Sequence, residues 1–283
     1  MIRDPSFIYL ATILPPILIG LIIWKSDKFP EPGKFLITAF MLGVAIDLPL
    51  FFLILVAENH LAPLIGLDYS SYLNAIKANE WKPEWTSFYA GEAAFMSFFR
   101  AAFLEEGLKF ALLIFVCVRL NALNEPVDAI VYGAAIGLGY AAMENIGYLN
   151  SSNFDDAWTL EMVRVRYYPL IMHLGFGVVM GWLLSQNLFD EINRFKRKFM
   201  LIISLAIPVL FHGIYNFYGT ADVFPILTVI LVISIIYWAR KEQSKKITEE
   251  EEKYSIANSD VFYAYFSSLI LVILVIFSAH FYS

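Results

Sequence analysis

The chain predicts an all-α fold, a polytopic transmembrane helical bundle of about eight spans, and three observations carry that expectation. Apolar runs of some 20 residues, the length that crosses a hydrocarbon core about 30 Å thick, recur along the sequence. Only 16% of its 283 residues are charged, while 59% are hydrophobic and 17% aromatic. A soluble domain carries roughly 25% charged residues, so lipid is the expected solvent. Lysines and arginines, finally, fall unevenly on alternate connections.

In order, the runs are Phe7–Trp24, Phe35–Ala57, Ala93–Val118, Val127–Leu149, Tyr167–Leu188, Phe199–Tyr218, Phe224–Trp238 and Val261–Phe281. The first follows Arg3 and Asp4 without a small-residue cleavage site and is expected to be a retained span. Between the second and third, residues 60–92 form a polar and aromatic insert with Trp81, Trp85 and Tyr89. That insert reads as an interfacial loop or surface helix able to gate access to the interior. Residues 1–283 are expected to form a single transmembrane domain, with a catalytic core at about 93–218.

Lys25, Lys28, Lys34, Arg119, Arg194, Lys196, Arg197, Lys198, Arg240, Lys241, Lys245, Lys246 and Lys253 lie on one face, and only Arg3, Lys77, Lys82, Arg164 and Arg166 on the other. Positive charge marks the cytoplasmic side, so both termini are expected outside, in a multi-pass protein of the plasma membrane. Glu249 to Glu252 then belong to a solvated cytoplasmic linker. A net charge of −6 gives no basic footprint, and nucleic acid is not an expected partner. A single cysteine, Cys117, excludes an intramolecular disulfide framework and a cysteine zinc cluster. Neither H-E-x-x-H nor G-x-S-x-G occurs, which removes the main support for thermolysin-like and rhomboid-like chemistry.

Charged side chains near the bilayer centre cost about 2.5 to 3.5 kcal/mol each, so a span that keeps several is expected to use them. The third span keeps four, Arg100, Glu105, Glu106 and Lys109. Helical spacing lets Lys109 pair with Glu105 at i+4 or with Glu106 at i+3, while the adjacent glutamates point about 100° apart and are expected to act differently. Near its outer end the fourth span carries Glu144, Asn145 and Tyr148, beyond the small residues Gly133, Ala134, Gly137 and Gly139 that permit close helix approach. His173 follows in the fifth span with Gly177 one turn on, then His212 and Asn216 share a face of the sixth. All are expected at similar depth, in the middle to outer half of the bilayer, lining one polar cavity. Asp47 and Arg100 lack a second motif residue beside them and read as structural.

Two chemistries suit this set. Glu and His can bind zinc in a site with an open position, a further Glu taking the proton of the bound water. Alternatively, without metal, a desolvated glutamate activates water directly while His and Asn donate to the oxyanion.

The order E-E-x-x-K, then E-N-x-x-Y, then His with Gly four residues on, then H-x-x-x-N, resembles the PrsW family of intramembrane proteases. That family is related to the CAAX prenyl endopeptidases and to bacteriocin-processing membrane enzymes. The matching positions are Glu105, Glu106 and Lys109; Glu144, Asn145 and Tyr148; His173 with Gly177; and His212 with Asn216. The resemblance implies an endopeptidase that cuts a membrane-tethered protein, a single-span substrate of the kind an anti-sigma factor presents in some bacteria. It implies catalytic roles for these residues, with His173, His212 and Glu106 as the ligands if zinc is present. E-E-x-x-K in place of the relatives' E-E-x-x-x-R weakens any transfer of prenyl specificity. From the residues alone, a proton-coupled transporter and a non-catalytic membrane scaffold remain alternatives.

Overall fold

A computed structural model describes residues 5–77, 89–119, 123–151, 156–190, 193–218 and 223–245, among which there is no strand. The helices are α1 (Pro5–Ser26), α2 (Gly33–Leu64), α3 (Tyr69–Lys77), α4 (90–119), α5 (Pro126–Ser151), α6 (Asp156–Phe189), α7 (Arg194–Tyr218) and α8 (Val223–Lys245). Six of them, α1, α2 and α5 to α8, are long and apolar enough to cross a membrane. α4 has the length, and Arg100, Glu105, Glu106 and Lys109 interrupt its apolar run. The eighth predicted span, Val261–Phe281, lies outside the described residues, as do Trp81, Trp85 and Glu249 to Glu252.

Two predicted boundaries move. α2 continues past Ala57 through a π-helical turn at Ala57–Leu61, so His60 belongs to the rod and not to the insert. α4 is π-helical over Phe95–Phe103 and returns to α-helix at Leu104. A π segment widens the turn and shifts the angular phase of the residues beyond it, and such segments recur at functional sites. Here the π segment ends at Phe103, two residues before Glu105.

α5 and α6 form the interior of the bundle. In each, 89% of the spanning stretch is buried, against 22–33% in the other four. The reason lies in small residues at the seam between them. A Cβ on Gly133 would fall 2.1 Å from the Gly177 carbonyl oxygen, and one on Gly177 would fall 2.0 Å from that of Gly133. One turn along, a Cβ on Gly137 would meet the His173 carbonyl oxygen at 2.2 Å. Backbones therefore touch where the His173 side chain leaves α6, which fixes its position against α5. Outward faces of the other helices carry Leu10, Ile37, Phe52, Ile202 and Leu227, all exposed, as lipid contact requires.

At the start of α5, a polar network ties three segments together. Asp128, in the first turn, accepts from the backbone N–H groups of Asn124 (2.9 Å) and Glu125 (2.7 Å), the reach-back of a capping residue. The Gln243 amide of α8 donates to Asp27 (2.8 Å) and Glu125 (2.7 Å), and Arg240 donates to the Ser26 carbonyl oxygen.

Candidate active site

Four helices deliver the charged residues of the interior to one place. α4 supplies Glu105, Glu106 and Lys109, α5 supplies Glu144, Asn145 and Tyr148, α6 supplies His173, and α7 supplies His212 and Asn216. Lys109 Nζ donates to Glu106 Oε1 at 2.7 Å and lies 3.7 Å from Glu105 Oε2, so both helical spacings are realised. Glu106 Oε1 is also 2.8 Å from His212 Nδ1, while His173 Nδ1 sits 2.9 Å from Lys109 Nζ. On its far side, His173 Nε2 is 3.2 Å from Glu144 Oε2. Ligand atoms of Glu105, Glu106, His173 and His212 all fall within 4.8 Å of one another.

The adjacent glutamates divide as their helical angle predicts. Glu106 is wholly enclosed and bonded to Lys109 and His212, whereas Glu105 lines a cavity of about 430 Å³ and lies 3.9 Å from His212 Nε2. One carboxylate oxygen of each, Oε2, has no hydrogen-bond partner. Burying an ion costs several kcal/mol even after relaxation, and only close opposite charge with further hydrogen bonds offsets it. Lys109 supplies that offset. It is buried, and its ammonium also lies 4.0 Å from the centre of the Tyr140 ring.

Sequence reasoning missed Arg166 and Tyr140. Arg166 reads as an outer loop cation, but α6 begins well before it, and its guanidinium is buried in the site. Nη2 donates to Glu144 at 2.5 Å and Nε to the Asn145 side-chain oxygen at 2.9 Å, with the Tyr148 ring stacked 4.0 Å beneath. The spacing held a signal, since Arg166 precedes His173 by seven residues, two helical turns, and so shares its face. Tyr140 precedes Glu144 by one turn and packs edge-on against His173 at 5.0 Å.

Asn145 and Tyr148 therefore meet Glu144 through Arg166, and Asn145 also reaches toward the Thr12 carbonyl oxygen at 3.4 Å. Asn216 lines the cavity one turn beyond His212. Arg100 borders the same cavity while paired with Glu58 of α2, and Asp47 is exposed on α2 away from it. Tyr72 and Ile76 of α3 close part of the rim, so the described part of the insert does border the interior.

The donor set also fits a metal. Two imidazoles and a carboxylate with a further carboxylate beside them are the ligands of catalytic zinc, and two of the carboxylate oxygens here lack partners.

A buried carboxylate and imidazole centre opening on a cavity, inside a bundle of apolar helices, is the construction of a hydrolase that works within the membrane. Residues 31–239 match the family model described as "PrsW family intramembrane metalloprotease". The chain belongs to that family: it is an integral membrane protease whose substrate is embedded in the bilayer. It is 29% identical to "Protease PrsW" of Bacillus subtilis (strain 168) over 83% of this chain and 93% of that protein. For "Protease PrsW" of Clostridioides difficile (strain 630) the identity is 28% over 90% and 94%. No solved structure matches the chain.

Proposed function

We propose that this protease cuts a single-span membrane protein within the outer half of the bilayer, with both of its own termini outside the cell. The observation that supports this reading best is the convergence of Glu105, Glu106, His173 and His212 within 4.8 Å, with Glu105, His173 and His212 lining one cavity.

Glu105 faces the cavity and acts as the base, taking a proton from the attacking water and passing it to the leaving amine. Glu106 holds His212 through the 2.8 Å contact, and Lys109 balances the charge of the glutamate pair. Arg166 and Glu144 orient His173 from its other nitrogen. In a metal-independent reaction Asn216 and His212, one turn apart on α7, donate to the oxyanion that develops on the scissile carbonyl. His173, His212 and Glu106 would hold a zinc ion, which when bound supplies a Lewis acid and water with a pKa near neutrality. A metal-independent glutamate mechanism is favoured by one contact, the Lys109 ammonium 2.9 Å from His173 Nδ1, a cation already seated between the imidazole and Glu106.

The test is cleavage of a candidate single-span substrate by purified protein in lipid nanodiscs, comparing wild type with the Glu105→Gln, Glu106→Gln double variant. Wild type is expected to cut and the double variant to be inactive while still folded; cleavage by the double variant would reject the site. Metal analysis of active protein after extended chelation separates the two mechanisms, because full activity at sub-stoichiometric zinc rejects the zinc form.

A further inference from the structure

We propose that an apolar pocket between α6, α7 and α8 is a specificity subsite that seats an apolar substrate side chain next to the scissile bond, an inference that rests on the peptidase reading above. The pocket holds about 240 Å³. Ten of its eleven lining residues are apolar, and the remaining one, Thr228, already donates its hydroxyl to the Phe224 carbonyl oxygen at 2.9 Å. An apolar cavity of about 150 Å³ is enough to bind benzene, so this one takes a leucine, methionine or phenylalanine side chain.

Its position ties it to the chemistry. Met172 and Phe176 line this pocket and the catalytic cavity alike, so the two spaces share a wall. The Phe176 ring stacks on the His212 imidazole, with centroids 5.4 Å apart, and meets His173 at 6.2 Å. A side chain held against the far face of Phe176 thus leaves its own backbone within reach of the imidazoles and Glu105. On the outer side the rim is formed by Phe211 and Leu227, both exposed on the face of the bundle where a substrate helix arrives from the lipid. That helix is apolar by necessity, so it brings side chains of the kind the pocket accepts. A lipid acyl chain would also fit the lining, but it would confer no dependence on substrate sequence.

The experiment uses the full chain in phosphatidylcholine vesicles with quenched-fluorescence probes, each a single leucine and alanine-rich transmembrane helix. One position at a time is varied among Gly, Asp, Ala, Leu and Phe. Wild type is expected to cleave probes with Leu or Phe at one position about tenfold faster in kcat/KM than those with Gly, since a methylene in such a pocket is worth roughly tenfold or more. Leu231 lines the pocket and is half-exposed, so both larger and smaller residues have room there. Leu231→Trp should fill the space and move the preference to Gly and Ala while the Ala probe is cut as by wild type. Leu231→Ala should widen it and raise Phe over Leu, and decides the matter alone if the tryptophan variant does not fold. Preferences left unchanged, or rates scaled equally for every probe as a bound acyl chain would give, overturn the subsite and leave the peptidase reading intact. No cleavage of any probe by wild type overturns both.

Discussion

Near the start of α5, Asp27, Asp128, Arg240 and Gln243 are buried among apolar helices, with half-buried Glu125 joining their polar network; near its end lies the cluster of Glu105, Glu106, Lys109, Glu144, His173 and His212. Sixteen residues of helix, about 24 Å, separate Asp128 from Glu144. Both regions bury carboxylates beside cations, so burial of charge does not distinguish them. What their carboxylates meet does. Asp128 is consumed by two backbone N–H groups and Asp27 by Gln243 and the Phe29 N–H; the atom of this network left without a hydrogen bond is an amide oxygen, Gln243 Oε1, and a space of about 10 Å³ adjoins it at Ser26 and Arg240. At the other end, two carboxylate oxygens lack hydrogen bonds, ring nitrogens point at carboxylates, and a cavity of about 430 Å³ opens beside them. Carboxylates taken up by donors lock helices together; carboxylates with an unbonded oxygen beside open space retain capacity to bind and react.

The most demanding test of this contrast pairs one carboxylate from each end. Glu105→Gln, at the carboxylate that faces the cavity, is expected to lower cleavage by about 10²- to 10⁴-fold with little change in melting temperature. Asp128→Asn is expected to lose about 1–2 kcal/mol of stability, from a weakened capping acceptor, and to cut normally. Parallel cleavage and thermal-unfolding measurements decide it, and a folded Asp128→Asn protein without activity would dissolve the distinction.

Arg166 refines the contrast, because it ties α6 to Glu144 and Asn145 of α5 at the edge of the cavity. Arg166→Ala should reduce kcat about 10- to 100-fold with little change in KM, by freeing Glu144 and through it His173. Arg166→Lys should recover only part, since an ammonium cannot make both bonds of the guanidinium fork. A loss confined to thermal stability would make Arg166 a packing residue.

The smallest effect belongs to Asp27, which lies just beyond the end of α1. Burial pushes its carboxyl above the usual range, against the opposing pull of the Gln243 hydrogen bond and Arg240. A raised carboxyl holds its proton in the folded state at pH values where the unfolded chain has lost it. Its contribution is therefore fully present below the ordinary value of about 4 and is lost as pH rises through the folded one. The melting temperature of wild type relative to Asp27→Asn should fall across that interval and level off above it. A difference that is flat, or that rises with pH, would show Asp27 to be stabilised as the anion.

Much of this was legible in the sequence. Apolar length and charge depletion alone dictate membrane-spanning helices, because hydrocarbon admits no unsatisfied backbone. The spacing of Glu105, Glu106 and Lys109 within a regular helix fixed their pairing, and the glycines of α5 and α6 marked the seam where His173 is held. Local rules could not supply Arg166, whose role depends on α6 starting before the apolar run, nor the π-helical stretch of α4, which is invisible to a period of 3.6 residues. The division between Glu105 at the cavity and Glu106 in the interior, and the wall that Phe176 places between two pockets, were likewise decided only by tertiary structure. Sequence spacing sets directions on one helix, whereas which side chain meets water and which meets a neighbour depends on where the other helices stand.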